Sequence, residues 1–153
     1  MHTKRLVLCG LGKVGQSFLK LVAERAEAIG RQYGLKIEVA CVVDIGGAAL
    51  ASEGALPLDG FLDFVGTGGR PENFIGYGQP GLSGVAAIER GDFDVLIETT
   101  PTNLTDGGPA FQFITAAIHK GMDVVSANKG PFVLYFEQLK KMAAESGSRL
   151  FIS

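Results

Sequence analysis

Hydrophobic positions along this chain change period repeatedly. "KRLVLCG" is a continuous apolar run of strand length, while "KVGQSFLKLVAERAEAI" has helical spacing, with Val14, Phe18, Leu21, Val22 and Ile29 predicted on one face. After Gly34, "LKIEVACVVD" reads as a second strand, "FDVLIETT" as a third, "MDVVSA" as a fourth and "SRLFIS" as a fifth. Two helices separate the last three. The first is expected to start near Thr105 or Asp106, either a good N-cap. It carries Pro109 in its first turn, buries Ala110, Phe113, Ile114, Ala117 and Ile118, and stops at Gly121. The second is expected from Pro131 to Gly147, with Phe132, Tyr135, Phe136, Leu139, Met142 and Ala143 at three-to-four spacing.

Strands alternating with helices imply right-handed crossovers and a parallel sheet covered on both faces. The expected fold is therefore α/β and doubly wound, with about five strands. From Ile45 to Glu89 the pattern is less legible. Glycine-rich patches surround two short helices, near Leu58–Val65 and Leu82–Ile88, and no strand is assigned there.

A length of 153 residues suits one domain with a core that needs no disulfide or metal. With 14 Lys and Arg against 16 Asp and Glu and no basic stripe, the partner expected is a small molecule, not nucleic acid or a membrane surface. Cys9 and Cys41 sit in apolar runs outside any metal-ligand spacing, so they are expected to be reduced and buried, and no metal site is expected. With no charged-then-apolar leader and no run long enough to span a bilayer, a cytoplasmic location is expected.

Candidate chemistry begins at Gly10-Leu11-Gly12-Lys13-Val14-Gly15, a GxGxxG match that follows an apolar strand and opens an amphipathic helix. The first glycine suits a tight turn, the second the approach of a pyrophosphate, and the third close packing of helix on strand. This is the Rossmann-type arrangement, with phosphates meeting the helix N-terminus. Asp44 ends the second strand, where a carboxylate can accept hydrogen bonds from adenosine ribose hydroxyls. No Lys or Arg occurs from Ile37 to Gly69 to neutralise a 2′-phosphate, which favours NAD over NADP, although Arg70 is near in sequence. Asp44 also fits a simple turn or capping role before Gly46-Gly47.

Parallel strands bring their carboxyl ends to one edge, where ligands bind. "ETTPTN" and "SANKG" share that edge with the glycine loop. Thr99, Thr100 and Pro101 fit contacts to the nicotinamide end equally with ordinary turn chemistry. Lys129 sits where a helix begins, and such an N-terminus disfavours a cation. Close to an oxidised, cationic nicotinamide, this lysine is disposed to exchange its proton and could serve as acid or base. The competing reading is a surface lysine after a strand.

"CGLGKVGQSFL", "ETTPTN…GGPA" and "VVSANKGPF", in this order, resemble the nucleotide-binding domain of homoserine dehydrogenase, and the resemblance covers essentially the whole chain. It implies NAD(P)-dependent interconversion of L-homoserine and L-aspartate 4-semialdehyde on the route to threonine, methionine and isoleucine. Lys129 would be the catalytic proton donor or acceptor. Gly12, Lys13 and Val14 would line the phosphates, Thr99, Thr100 and Pro101 would face the nicotinamide, and Ser126 and Asn128 would lie near it.

Family members continue into a substrate-binding and dimerisation domain that supplies a second lysine and the acidic residues holding the substrate amine. Residues 1–153 are accordingly expected to be a single NAD(P)-binding domain, the cofactor half of a homodimeric enzyme. They should bind dinucleotide without turnover, with a last strand that frays if unsupported. Ser153 stands where many members carry a glutamate beside a cation site. Two other classes share parts of the pattern: another amino-acid dehydrogenase, such as one acting on aspartate, and a non-catalytic dinucleotide-binding or redox-sensing module.

Overall fold

The computed structural model describes residues 1–153. In chain order it contains β1 (His2–Cys9), α1 (Lys13–Tyr33), β2 (Leu35–Asp44), β3 (Gly47–Leu50), α2 (Leu58–Gly66), β4 (Gly78–Pro80) and α3 (Gly84–Arg90). β5 (Val95–Glu98), α4 (Ala110–His119), β6 (Asp123–Ser126), α5 (Gly130–Leu134), α6 (Phe136–Ser146) and β7 (Leu150–Ile152) complete it. The sheet order is β4-β3-β2-β1-β5-β6-β7. β1, β2, β5, β6 and β7 are the five expected strands, and all pair in parallel.

Two antiparallel strands extend this sheet beyond the expected five. β2 turns back on itself at Ile45-Gly46, pairing Asp44 with Gly47 and Val43 with Ala48. Gly47 takes φ 146°, a conformation that L side chains rarely adopt. The sequence of β3, "GAAL", lacks the β-branched and aromatic residues that mark strands, and β4 is a three-residue edge ending in proline. Neither leaves a strand signature.

Alternation along β1 divides the core between the two sheet faces. Leu6 and Leu8 join Leu19, Val22 and Phe61 beneath α1 and α2, whereas Val7 and Cys9 join Ile88, Ile114, Ile118 and Leu139 beneath α3, α4 and α6. Cys9 and Cys41 are free and buried, and burial pushes both thiols up, Cys41 to about 12. At the amino edge of the sheet, Arg5 donates to the carbonyls of Asp92 at 2.9 Å and Ala51 at 3.2 Å and pairs with Glu38 at 3.2 Å. The carboxyl edge is left for ligands.

Three helical expectations need correction. α1 buries Gly15, Leu19 and Val22, while Val14 and Leu21 are 56% and 54% exposed. The helix is pinned by Gly15, whose missing Cβ is replaced by the Gly10 carbonyl oxygen, so the buried stripe keeps Val22 of the predicted face and turns Val14 and Leu21 outward. α4 starts at Ala110, not near Thr105 or Asp106. Asn103 claims that segment first: its Oδ1 accepts from the Thr105 N–H at 2.9 Å and its Nδ2 donates to the Gly108 carbonyl at 2.9 Å. Finally, the helix expected from Pro131 is broken at Tyr135 (φ −133°). The Tyr135 hydroxyl donates to the Asp106 carbonyl at 3.0 Å, and its ring packs 4.3 Å from that of Phe111.

The glycine loop depends on two absent side chains. Gly10 has φ 100°, and a Cβ there would lie 2.8 Å from the Thr100 nitrogen; Gly15 is equally closed, but a Cβ on Gly12 would meet nothing within 4 Å. Gly15→Ala should therefore overpack the β1–α1 contact at a cost of about 1–3 kcal/mol. Thermal unfolding should show this as a Tm lowered by roughly 2–4 °C per kcal/mol, whereas Gly12→Ala should leave Tm nearly unchanged. Equal Tm values for the two variants would contradict the packing account.

Candidate functional site

The connection from β2 to β5 carries the chain to the other side of β1, so adjacent strands there send their loops in opposite directions. Such a switch point opens a crevice at the carboxyl edge. A crevice of about 860 Å³ lies there, and this size falls within the usual range for small-molecule sites. Gly10, Leu11, Gly12, Lys13 and Val14 form its floor, and Asp44 and Ile45 border it after β2. Thr99, Thr100 and Pro101 line it after β5, together with Ala127 after β6. Most of the sequence-predicted residues thus meet around one space.

Each side of the crevice has its own chemistry. Gly12 is the N-cap of α1 with no side-chain cap, so the first N–H groups of a 21-residue helix have no side-chain acceptor. An anion is favoured there by both hydrogen bonding and the helix dipole. The exposed Asp44 ends β2 at the opposite limit of the glycine loop. Gly15 does not line the space, because its role is spent in packing against Gly10.

The threonine hydroxyls are committed to the protein. Thr99 Oγ1 donates to the Gly10 carbonyl at 2.8 Å, tying the end of β5 to the glycine loop. Thr100 donates through its N–H, at 2.9 Å, and through its hydroxyl to Glu98 Oε1. Ser126 and Asn128 are buried beside the crevice and do not line it. Asn128 Nδ2 donates to the carbonyls of Thr100 and Pro101, both at 3.1 Å, and its Oδ1 accepts from the Gly130 N–H at 3.0 Å. Asn128 therefore caps the helix that Lys129 precedes, while the Lys129 side chain is exposed two residues beyond Ala127. Lys129 itself is not among the residues lining the crevice.

Several lining residues lacked a sequence signal. Ser83 and Gly84 come from the illegible segment, and Pro109 and Phe113 from the start of α4. Helical spacing assigned Phe113 to the core. Its ring crosses the place where a Gly84 side chain would be, so a face of α4 reaches the crevice only because residue 84 is glycine. The most consequential omission is Glu98. It reads as the polar end of "FDVLIE", and it is fully buried.

Burial pushes the Glu98 carboxyl up, against the lowering effect of hydrogen bonds from Thr100, Ser126 and Asn128. A carboxyl raised on folding contributes most stability below its unfolded pKa, near 4.5, and that contribution is lost as pH rises through the folded value. Relative to Glu98→Gln, the native chain should therefore lose stability as pH rises above about 4.5. Denaturant unfolding across pH checks this, and parallel curves for the two proteins would contradict it.

Comparison with known proteins gives this geometry a family. The family model described as the NAD-binding domain of homoserine dehydrogenase matches residues 10–153. A homoserine dehydrogenase from Methanocaldococcus jannaschii is 29% identical over 142 residues, which are 93% of this chain and 41% of that protein. An NAD(+)-dependent homoserine dehydrogenase from Pseudomonas canavaninivorans is 29% identical over 143 residues, 94% of this chain and 40% of that one. The chain thus spans about two fifths of the length of these curated relatives. A hyperthermophilic archaeal homoserine dehydrogenase solved in complex with NADPH shares the fold, with a TM-score of 0.82 at 21% identity over 99% of this chain and 44% of that one. With the family model matching nearly its whole length, the chain belongs to the homoserine dehydrogenase NAD-binding domain family.

Proposed function

We propose that this chain is the dinucleotide-binding part of an enzyme that interconverts L-homoserine and L-aspartate 4-semialdehyde. The observation that carries this reading is the meeting of three strand-end loops and Asp44 around one crevice at the switch point. The open Gly12 and the uncapped start of α1 fit a pyrophosphate, and the residue types along the crevice fit a dinucleotide laid from Asp44 to Thr100. NAD or NADP, when bound, supplies the hydride acceptor or donor at its nicotinamide ring.

The chain's own residues have separable tasks. Gly10, Leu11, Gly12, Lys13 and Val14 hold the phosphates, with Gly15 keeping α1 against β1 so that its N–H groups converge. Asp44 accepts from the ribose hydroxyls; its charge opposes a 2′-phosphate, which favours NAD. Thr99, Thr100 and Pro101 shape the nicotinamide end by backbone and surface, since both hydroxyls are engaged within the protein. Ser126 and Asn128 support the segment that carries Lys129. Lys129 takes the proton from the homoserine hydroxyl as hydride leaves the same carbon, and returns it in the reverse reaction. The substrate amine and the homodimer contacts are assigned to the portion that relatives carry outside the matched residues.

In the full-length enzyme, Lys129→Ala should lower kcat for homoserine oxidation by about 10²–10⁴-fold, the usual worth of a positioned acid or base. NAD affinity should change little, as titration calorimetry can show. Unchanged turnover removes Lys129 from the chemistry. Asp44→Ala should weaken NAD more than NADP in the same titration; an equal effect on both would remove the ribose role.

A further inference from the structure

Beneath the crevice, one buried side chain touches both loops that face its nicotinamide end. Glu98 ends β5, with Oε1 accepting from the Thr100 N–H and hydroxyl, and Oε2 lying 3.3 Å from Ser126 Oγ. Ser126 continues the link: its Oγ accepts from the Asn128 N–H at 3.0 Å and is 3.2 Å from the Asn128 carbonyl oxygen. Asn128 closes the circuit on the carbonyls of Thr100 and Pro101 and caps Gly130, the residue after Lys129. Every link is a hydrogen bond between groups with no net charge except the carboxyl itself. No Lys or Arg faces it, and the neighbouring titratable group is the buried Cys9.

Resting on the reading of the site given above, we propose that Glu98 is a positioning residue that sets the Lys129 segment against the loop carrying Thr99, Thr100 and Pro101. Alternatives of lesser content fail on the same geometry. An apolar side chain at the end of β5 would bury equally well, but it would strand the Thr100 N–H and the hydroxyls of Thr100 and Ser126. Here the carboxyl instead satisfies a backbone N–H and two hydroxyls that belong to two different loops. Hydrogen bonds also fix an orientation, as apolar packing does not. Oε1 receives both Thr100 donors, and Asn128 Nδ2 lies 3.4 Å from Thr100 Oγ1, so the Thr100 hydroxyl proton points to Oε1. Ser126 Oγ, which accepts from the Asn128 N–H, has its single proton within reach of both Oε2 and the Asn128 carbonyl. A glutamine in place of Glu98 keeps both links: its Oε1 can accept the Thr100 donors and its amide nitrogen can donate to Ser126 Oγ, whose proton then goes to the Asn128 carbonyl.

The test uses the full-length enzyme and three variants. Glu98→Ala should lower kcat by about 10²-fold, the loss that a misplacement of around 1 Å can produce. The NAD dissociation constant should stay within about threefold, because the glycine loop and Asp44 are untouched. Glu98→Gln should restore kcat to within about threefold of wild type. Ser126→Ala, which cuts the link without emptying the space under Thr100, should lower kcat with NAD binding retained and carries the test if Glu98→Ala does not fold. Wild-type kcat in Glu98→Ala or Ser126→Ala would overturn the proposal, as would equal losses of kcat and NAD affinity, or a Glu98→Gln as impaired as Glu98→Ala. A wild-type enzyme that binds NAD but leaves homoserine untouched would instead overturn the functional reading on which the proposal rests.

Discussion

Contact between the backbone of Gly10 and the backbone of Thr99–Thr100 is the constraint on which the site depends. At this point β1 gives way to the glycine loop while β5 gives way to its own loop, and a Cβ on residue 10 would lie 2.8 Å from the Thr100 nitrogen. Gly15 makes the matching approach from α1. The consequence is geometric: the uncapped helix start, the floor of the crevice and the end of β5 occupy one small region, and the Thr99 hydroxyl locks them at 2.8 Å from the Gly10 carbonyl. Any side chain at either glycine would separate the helix dipole from the edge of the sheet where a ligand's phosphates would lie.

The third loop is joined by polar means. Between β5 and β6, Glu98, Ser126 and Asn128 link the strand ends and are all buried, and beyond them a Cβ on Gly130 would lie 2.7 Å from the Asn103 carbonyl oxygen. This division has a physical logic. On the proposed reading, the phosphate side of the crevice uses backbone N–H groups and needs only close approach, which missing side chains provide. The side that carries Lys129 must hold a long, exposed side chain's origin in one place, and directional hydrogen bonds do that better than apolar contact. Asn128 also removes the electrostatic oddity of a lysine before a helix, since its carboxamide oxygen, not the lysine, meets the Gly130 N–H.

Much of this was legible in the sequence because the central parallel strands bury both faces, although Phe151 and Ile152 of β7 stay exposed. Their runs, such as "RLVLC" and "VACVV", are continuous and bounded by glycine or polar ends, so all five were found. The glycine loop was legible through its position between such a strand and a helix. What stayed hidden has common causes. β3 and β4 form a hairpin of small residues, whose pairing follows from glycine conformations and not from hydrophobic pattern. The phase of α1 was missed because a glycine contact outranked the apolar residues Val14 and Leu21. Tyr135 broke its helix through a partner, Asp106, distant in sequence. Glu98 was passed over since a carboxylate at a strand end is ordinarily solvated, and only the tertiary arrangement shows the hydroxyls that enclose it.

The proposed site places a dinucleotide in the crevice at the switch point, with its pyrophosphate on the start of α1. A crystal structure of the full-length enzyme with NAD bound tests this most directly. The proposed site predicts pyrophosphate oxygens at about 2.7–3.2 Å from backbone N–H groups of the Gly12–Val14 segment, the usual span of such hydrogen bonds. It also predicts ribose hydroxyls on the Asp44 carboxylate and the nicotinamide between the Thr99–Pro101 and Ala127 segments. A dinucleotide lying elsewhere, or one whose phosphates avoid α1, would contradict it.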